Sequence, residues 1–294
     1  MEPFVLKASG EREPFNSEKV YRACLRVGAS PALAESITHQ IEAILYDGIP
    51  TREIYHEVRR LLEASRVEVA ARYSLKQALM HLGPAGFPFE TYIEELLREH
   101  GYETRLRTIV EGFCVKHELD IIAMEKVGSE SKMHMIECKY HNAPGIITGV
   151  KEVMYTYARF LDLREGWQHG KCGRFDQAWL VCNTKSSLDA QAFARCKGIQ
   201  LLCWRYPEGE GLERLIDRKA LYPVTVLPSL KSEYVGEFSR NKIMLVKDLA
   251  RYDLKTLKAL TGLGDETLMR VKDEAERLCG GRFFVSAEKR PTVS

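Results

Sequence analysis

The run from His117 to His141, HELDIIAMEKVGSESKMHMIECKYH, constrains this chain more than any other, because it places acids and a lysine at set positions on two apolar-rich stretches. Glu118–Glu125 centres on Ile121 and Ile122, Gly128, Ser129 and Ser131 supply turn chemistry, and Met133–Tyr140 resumes an extended pattern, so the run predicts a β-hairpin. Side chains alternate faces along a strand, so Glu137 and Lys139 project from one side and Ile136 and Cys138 from the other, with Asp120 meeting the pair across the hairpin. Two carboxylates at one point repel each other unless a cation sits between them, and hard oxygen ligands suit Mg²⁺ or Mn²⁺. A charged lysine beside them cannot ligate a metal, but it can hold an attacking water or offset charge building on a phosphate. A hairpin with a surface ion pair, Lys139 to Asp120 or Glu137, would show the same residues, so the D...ExK spacing alone does not choose.

The surroundings do. Upstream, GFPFETYIEELLREHGYE sets Phe89-Glu90 at the start of a helix and Gly101-Tyr102 after it; downstream come a helix over Val150–Leu161, a strand over Ala178–Cys182, a further helix and a strand over Ile199–Trp204. With these residues the chain resembles the PD-(D/E)xK nuclease superfamily, and within it the Mrr-type restriction endonucleases, over roughly half its length. The resemblance implies a central α/β fold with a mixed sheet in the order α-β-β-β-α-β-α-β. It also implies a metal site of Asp120, Glu137 and the Cys138 carbonyl, with Lys139 orienting the nucleophile and Glu90 leaning into the site. An acid in the first turn of a helix is favoured by the macrodipole alone, which is the plainer reading of Glu90. Glu94, Glu95, Arg98 and Glu99 are expected to be solvated.

Other polar residues are weighed the same way. His117-Glu118 is not a zincin motif, since Ile121 stands where HExxH needs histidine. Lys116, His117 and, in the first turn of the next helix, Lys151 are candidates for DNA phosphate, a satisfied loop histidine being the plainer account of His117. Alternation turns His134 away from Glu137. Trp167–Phe175, with Gly170 and Gly173 and preceded by Gly166, reads as a loop reaching toward substrate.

Residues 1–83 form a first predicted domain: strands Phe4–Ala8 and Glu11–Phe15 around Ser9-Gly10, then four helices, capped by Asn16 or Ser17, by Ser30 with Pro31, and by Thr51, the last running over Val67–Leu82. VLKASGEREPFNSEKVYRACL and YDGIPTREIYHEV resemble an ATP-cone, a mostly α-helical nucleotide-sensing module. By that resemblance Val5, Lys7, Glu13, Asn16, Lys19 and Thr51 hold ATP or dATP. A glycine turn, lysines and a helix N-terminus suit phosphates, although no P-loop is present. Ala8 stands where that family usually has arginine, and Tyr55 where some members have histidine.

Pro84-Ala85-Gly86-Phe87-Pro88 reads as the linker into a nuclease domain over 84–228. A small α domain follows over 229–294, in which a long amphipathic run from Leu245 is interrupted once. Leu257, Leu260, Gly262, Leu263 and Gly264 fit hxxhxGhG, the pattern of a helix-hairpin-helix whose backbone approaches DNA phosphate, with Leu268 in place of the usual alanine; a structural helical cap fits equally. Gly280 onward, with Lys289, Arg290 and Pro291, reads as a tail.

The chain of 294 residues carries 43 Lys+Arg against 41 Asp+Glu, so a basic patch must be local, and its eight cysteines include no CxxC pair. Free cysteines within apolar runs point to a reducing cytoplasm, and no apolar run is long enough to span a membrane. The expectation is a multidomain α/β protein: a Mg²⁺- or Mn²⁺-dependent DNA endonuclease under ATP or dATP control, acting as a homo-oligomer. The alternatives are a branched-DNA resolvase and a non-catalytic, nucleotide-responsive DNA-binding regulator.

Overall fold

The computed structural model describes residues 3–7, 9–83, 86–128, 130–143 and 145–280; Ala8, Ser129, Pro84-Ala85 of the expected linker and the tail residues Lys289, Arg290 and Pro291 lie outside them. The chain divides into two compact units, residues 1–75 and 76–294. In the first, β1 (Phe4–Leu6) pairs antiparallel with β2 (Arg12–Pro14), followed by α1 (Ser17–Arg26), α2 (Pro31–Ala43), β3 (Ile49–Pro50), α3 (Thr51–Ser65) and α4 (Val67–Met80). The expected hairpin and four helices are there. β3 is an addition: it runs parallel to β1 and completes a sheet in the order β2-β1-β3, too short to leave a periodic signal. Asn16 caps α1 by accepting the Lys19 N–H, and Ser30 caps α2 ahead of Pro31. Thr51, expected as a cap, is instead the first residue of α3 behind Pro50, and no side chain caps that end. Val5, Cys24, Ile37, Ile41, Ile49, Val58 and Leu62 form the core of this unit.

The second unit runs α5 (Phe87–Glu99), β4 (Glu103–Glu111), β5 (Lys116–Val127), β6 (Glu130–Lys139), β7 (Ile147–Thr148), α6 (Val150–Gln168), β8 (Gln177–Cys182), β9 (Lys185–Ser186), α7 (Leu188–Lys197) and β10 (Gln200–Leu202). The helices α8 (Leu212–Arg218), α9 (Val235–Arg240), α10 (Val246–Arg251), α11 (Leu254–Thr261) and α12 (Asp265–Leu278) follow. Five strands form one mixed sheet in the order β10-β8-β6-β5-β4, parallel from β10 to β6 and antiparallel from β6 to β4. The predicted α-β-β-β-α-β-α-β order is present, with the short parallel pair β7–β9 added beyond the ends of β6 and β8.

Four local expectations change. α5 begins at Phe87, ahead of Glu90, with Pro88 in its first turn, where a missing N–H costs nothing. Its acids Glu94 and Glu95 are 2% and 5% exposed, where solvated side chains were expected. The segment around 221–244 covers that side of the helix: Glu95 accepts the Met244 N–H at 3.1 Å, and the Tyr92 hydroxyl donates to the Leu221 carbonyl at 2.9 Å. Glu94 accepts the Thr104 hydroxyl at 2.5 Å. Nothing in the spacing of α5 announces a cover that arrives more than a hundred residues later.

α6 runs on to Gln168, so Gly166 and Trp167 are helical and the substrate-side loop shrinks to 169–176. Gly166 reads as a breaker in the sequence, yet it is a close-approach residue: a Cβ there would lie 2.9 Å from both the Gly112 carbonyl carbon and the Phe113 nitrogen. In the C-terminal run, a second break falls at Tyr252-Asp253, where Asp253 caps α11 through the Thr256 N–H at 2.7 Å. Gly262, at φ +67°, ends α11, and Gly264 precedes α12, so the expected helix-hairpin-helix shape is realised, with Leu268 buried in its core.

Gly166→Ala should lower stability by about 1–3 kcal/mol, because the methyl meets backbone that cannot rotate away. Urea unfolding followed by circular dichroism measures it, and an unchanged midpoint would contradict the close approach.

Candidate active site

The β5–β6 register pairs Ile121 with Ile136 and Ile122 with Met135, which brings Asp120 level with Glu137 one step further on. Asp120 is held there by the Cys138 N–H, which donates to its carboxylate at 2.7 Å. Glu90 enters from α5, where the Arg107 Nε donates to it at 2.8 Å. The three acids lie within electrostatic reach of one another. Burial, reinforced by Asp120 and Glu90 and opposed by Arg159 and Lys139, pushes the Glu137 carboxyl up to about 7. Burial also raises Asp120, against the pull of the Cys138 N–H and Arg159, and raises Glu90 together with the Asp120 charge.

The end of β6 is fixed by a polar net. The His141 N–H donates to Asn183 Oδ1 at 2.9 Å, Asn183 returns a bond to the His141 carbonyl at 2.8 Å, and the His141 ring reaches Thr148 at 3.1 Å. Lys139, level with Cys182 on β8, is half-buried on the same strand as Glu137, and among the described residues its ammonium makes no ion pair or hydrogen bond. Lys116 and Lys151 are exposed at the starts of β5 and α6, and neither is bonded to the acids. His117 is satisfied by Asp162 at 2.7 Å, and His134 is buried, its ring 5.4 Å from that of Trp179.

Two arginines complete the site, and the sequence reading passed over both. Arg159 on α6 is 8% exposed; it donates to the Glu137 carboxylate and to the Glu118 carbonyl. Its signal was available: it falls between Thr156 and Leu163 in a stripe that is otherwise apolar or small, where a cation needs a buried partner. Arg107 left no such signal. It sits on β4 at φ +46°, a costly backbone for arginine, held by bonds from its guanidinium to Glu90, to the Phe87 carbonyl at 2.8 Å and to Thr91 at 3.0 Å.

The donor types are ones a hard divalent cation prefers: two carboxyls and the Cys138 carbonyl offer oxygen, and burial first of all holds both carboxyls above their ordinary range. Among the described residues no three His, Cys, Asp or Glu side chains form a ready cage, and one oxygen of Glu137 is taken by Arg159.

The first unit gathers its own charged cluster. Gly10, at φ +84°, turns the β1–β2 hairpin, and Lys7 reaches Glu13 at 2.9 Å and Glu11 at 3.1 Å. Lys19 reaches Glu13 at 3.2 Å from α1. Asn16 is spent on capping α1, while Val5 is buried in the core. Thr51 follows the Leu6–Pro50 pair, which sets it beside Lys7 across the β1–β3 ladder. Tyr55 stacks on Tyr73 at 5.1 Å. In the C-terminal hairpin Leu263 is buried, and the flanking Gly262 and Gly264 have open space where a Cβ would stand.

Comparison with known proteins accords with this layout. Family models match an ATP cone domain at 3–79, a restriction endonuclease domain of the Mrr type at 85–206 and an AF1548-like C-terminal region at 222–279. An uncharacterized protein of Archaeoglobus fulgidus is 41% identical over 185 residues, which cover 63% of this chain and 98% of that protein. A crystal structure of the protein of unknown function AF1548 is 40% identical with a TM-score of 0.57, covering 67% of this chain and all of that one. The MspJI restriction endonuclease in complex with a 27-mer oligonucleotide is 15% identical over 68% of this chain and 39% of its own, with a TM-score of 0.37. The chain belongs to the AF1548-like family and carries an ATP cone domain ahead of its restriction endonuclease domain.

Proposed function

We propose that the protein is a metal-dependent DNA endonuclease whose activity responds to ATP or dATP. The observation that carries the reading is the meeting of Asp120 and Glu137 at the Cys138 backbone, with Lys139 two residues on, inside a restriction endonuclease domain. Asp120, Glu137 and the Cys138 carbonyl are the proposed holders of Mg²⁺ or Mn²⁺, which when bound supplies water activation and positive charge against the phosphate. Lys139, on the Glu137 side of β6, orients the attacking water and offsets the charge growing on the phosphate. Glu90, fixed by Arg107, adds negative charge near Asp120. Lys116 and Lys151 bind flanking phosphates, and the turn Gly262-Leu263-Gly264 offers backbone to the DNA, Leu263 anchoring it from the core.

In the cone, the nucleotide's phosphates would displace Glu13 from Lys7 and Lys19, which already face each other across that acid, and Thr51 would add a hydroxyl. Coupling to cleavage, through a change in the number of associated chains in the cytoplasm, completes the proposal.

Glu137→Ala should abolish Mg²⁺-dependent cleavage of linear DNA, and Lys139→Ala should lower it by about a hundredfold or more, while both variants still bind DNA in Ca²⁺. Undiminished cleavage by purified Lys139→Ala would remove the mechanism, and a preference for four-way junctions over linear duplex would make the enzyme a resolvase. Glu137 binds a metal only as the anion and keeps its proton to about 7, so Mn²⁺ affinity of the DNA-free protein should climb as pH rises through that value. A titration flat between about pH 5.5 and 8.5 would contradict a metal-binding Glu137 that keeps its proton to about 7. Calorimetry should detect ATP or dATP binding that weakens about tenfold in Lys7→Ala; absence of binding by the unaltered protein would end the regulatory reading.

A further inference from the structure

Arg159 is the one buried cation of the second unit that bonds directly to a proposed metal ligand among the described residues. Arginine keeps its charge in any protein environment, so this position supplies a permanent counter-ion to an acid cluster that burial would otherwise force to take up protons. Its arrangement is incomplete, however. One terminal nitrogen donates to Glu137 and the other to the Glu118 carbonyl, while Nε is buried with no acceptor. The same guanidinium lies 5.5 Å from the centre of the Tyr155 ring, and Tyr155 is largely exposed on the first turns of α6. A second resting place for the cation, over an aromatic face and toward solvent, is therefore already in contact with it.

We propose that Arg159 is the resident counter-ion of the carboxylate site: it holds Glu137 until a divalent cation takes that carboxylate, and arginine and metal compete for it. The inference rests on the metal-dependent reading above. Arg159 holds one oxygen of the Glu137 carboxylate, and a doubly charged ion arriving at that carboxylate is repelled by a fixed guanidinium beside it, so binding requires the arginine to withdraw, with Tyr155 receiving it. Arg159 is thus a positioning residue, which keeps Glu137 aimed at Asp120 and sets how much metal the site demands.

The test is Mn²⁺ binding to the full chain at about pH 8 without DNA, followed by calorimetry. Arg159→Gln should bind Mn²⁺ about tenfold more tightly than the unaltered protein, Arg159→Lys should lie near the unaltered protein, and Glu137→Gln should lose most of the affinity. A parallel measurement needs no variant fold at the site: in ¹⁵N-arginine-labelled unaltered protein, the Arg159 Nε–H resonance, assigned by its loss in Arg159→Lys, should shift as Mg²⁺ is added. Equal or weaker Mn²⁺ binding by a folded Arg159→Gln, or a resonance that stays put while Mg²⁺ binds, overturns the inference and leaves the nuclease reading standing. No Mn²⁺ binding by the unaltered protein overturns both.

Discussion

The catalytic reading depends on one register. β5 and β6 pair so that Ile121 faces Ile136, and the bond from the Cys138 N–H to Asp120 locks the next step. A slip of one residue would turn Glu137 and Lys139 to the opposite face and bring Cys138 and Ile136 forward in their place. The register is secured from both ends: buried Ile121, Ile136 and Met135 hold the middle of the ladder, and the His141–Asn183–Thr148 net holds the end of β6 against β8. The acids can crowd because this frame does not yield.

Burial, with mutual repulsion behind it, governs these acids. Three carboxyls at the edge of an apolar core share two arginines, Arg107 from β4 and Arg159 from α6, each committed to one acid. Among the described residues Asp120 has only the Cys138 backbone N–H as its hydrogen-bond donor. In the proposed reading these oxygen donors take a hard cation, and the Lys139 ammonium beside them makes no ion pair or hydrogen bond among the described residues. The cone shows the signs reversed: Glu13 bridges Lys7 and Lys19, and Lys7 also pairs with Glu11.

Much of this was legible before any coordinates. The hairpin and the position of Asp120 opposite the Glu137–Lys139 pair follow from period-two alternation and turn residues, which act over a few residues, and the α-β-β-β-α-β-α-β order was implied by the family resemblance that these residues carry. The burial of Glu94 and Glu95 on α5 was not legible. The helix's stripe of Tyr92, Ile93, Leu96 and Leu97 accounts for one face, and Glu94 and Glu95 read as the solvated one until Thr104 and Met244 are seen to donate to them. Gly166 misled for a related reason: a glycine in a polar stretch ends helices more often than it lets them pass close to another backbone, and only the Gly112–Phe113 strand end distinguishes the cases.

The sequence by itself determined the ladder, the identity of the acids and lysine on it, and the modules on either side, because each is written in residues close together in the chain. Tertiary structure alone decided which cations neutralise those acids. Arg107 reaches Glu90 and Arg159 reaches Glu137 across separate elements, and a charge buried far from its partner in sequence is paired by packing, not by spacing.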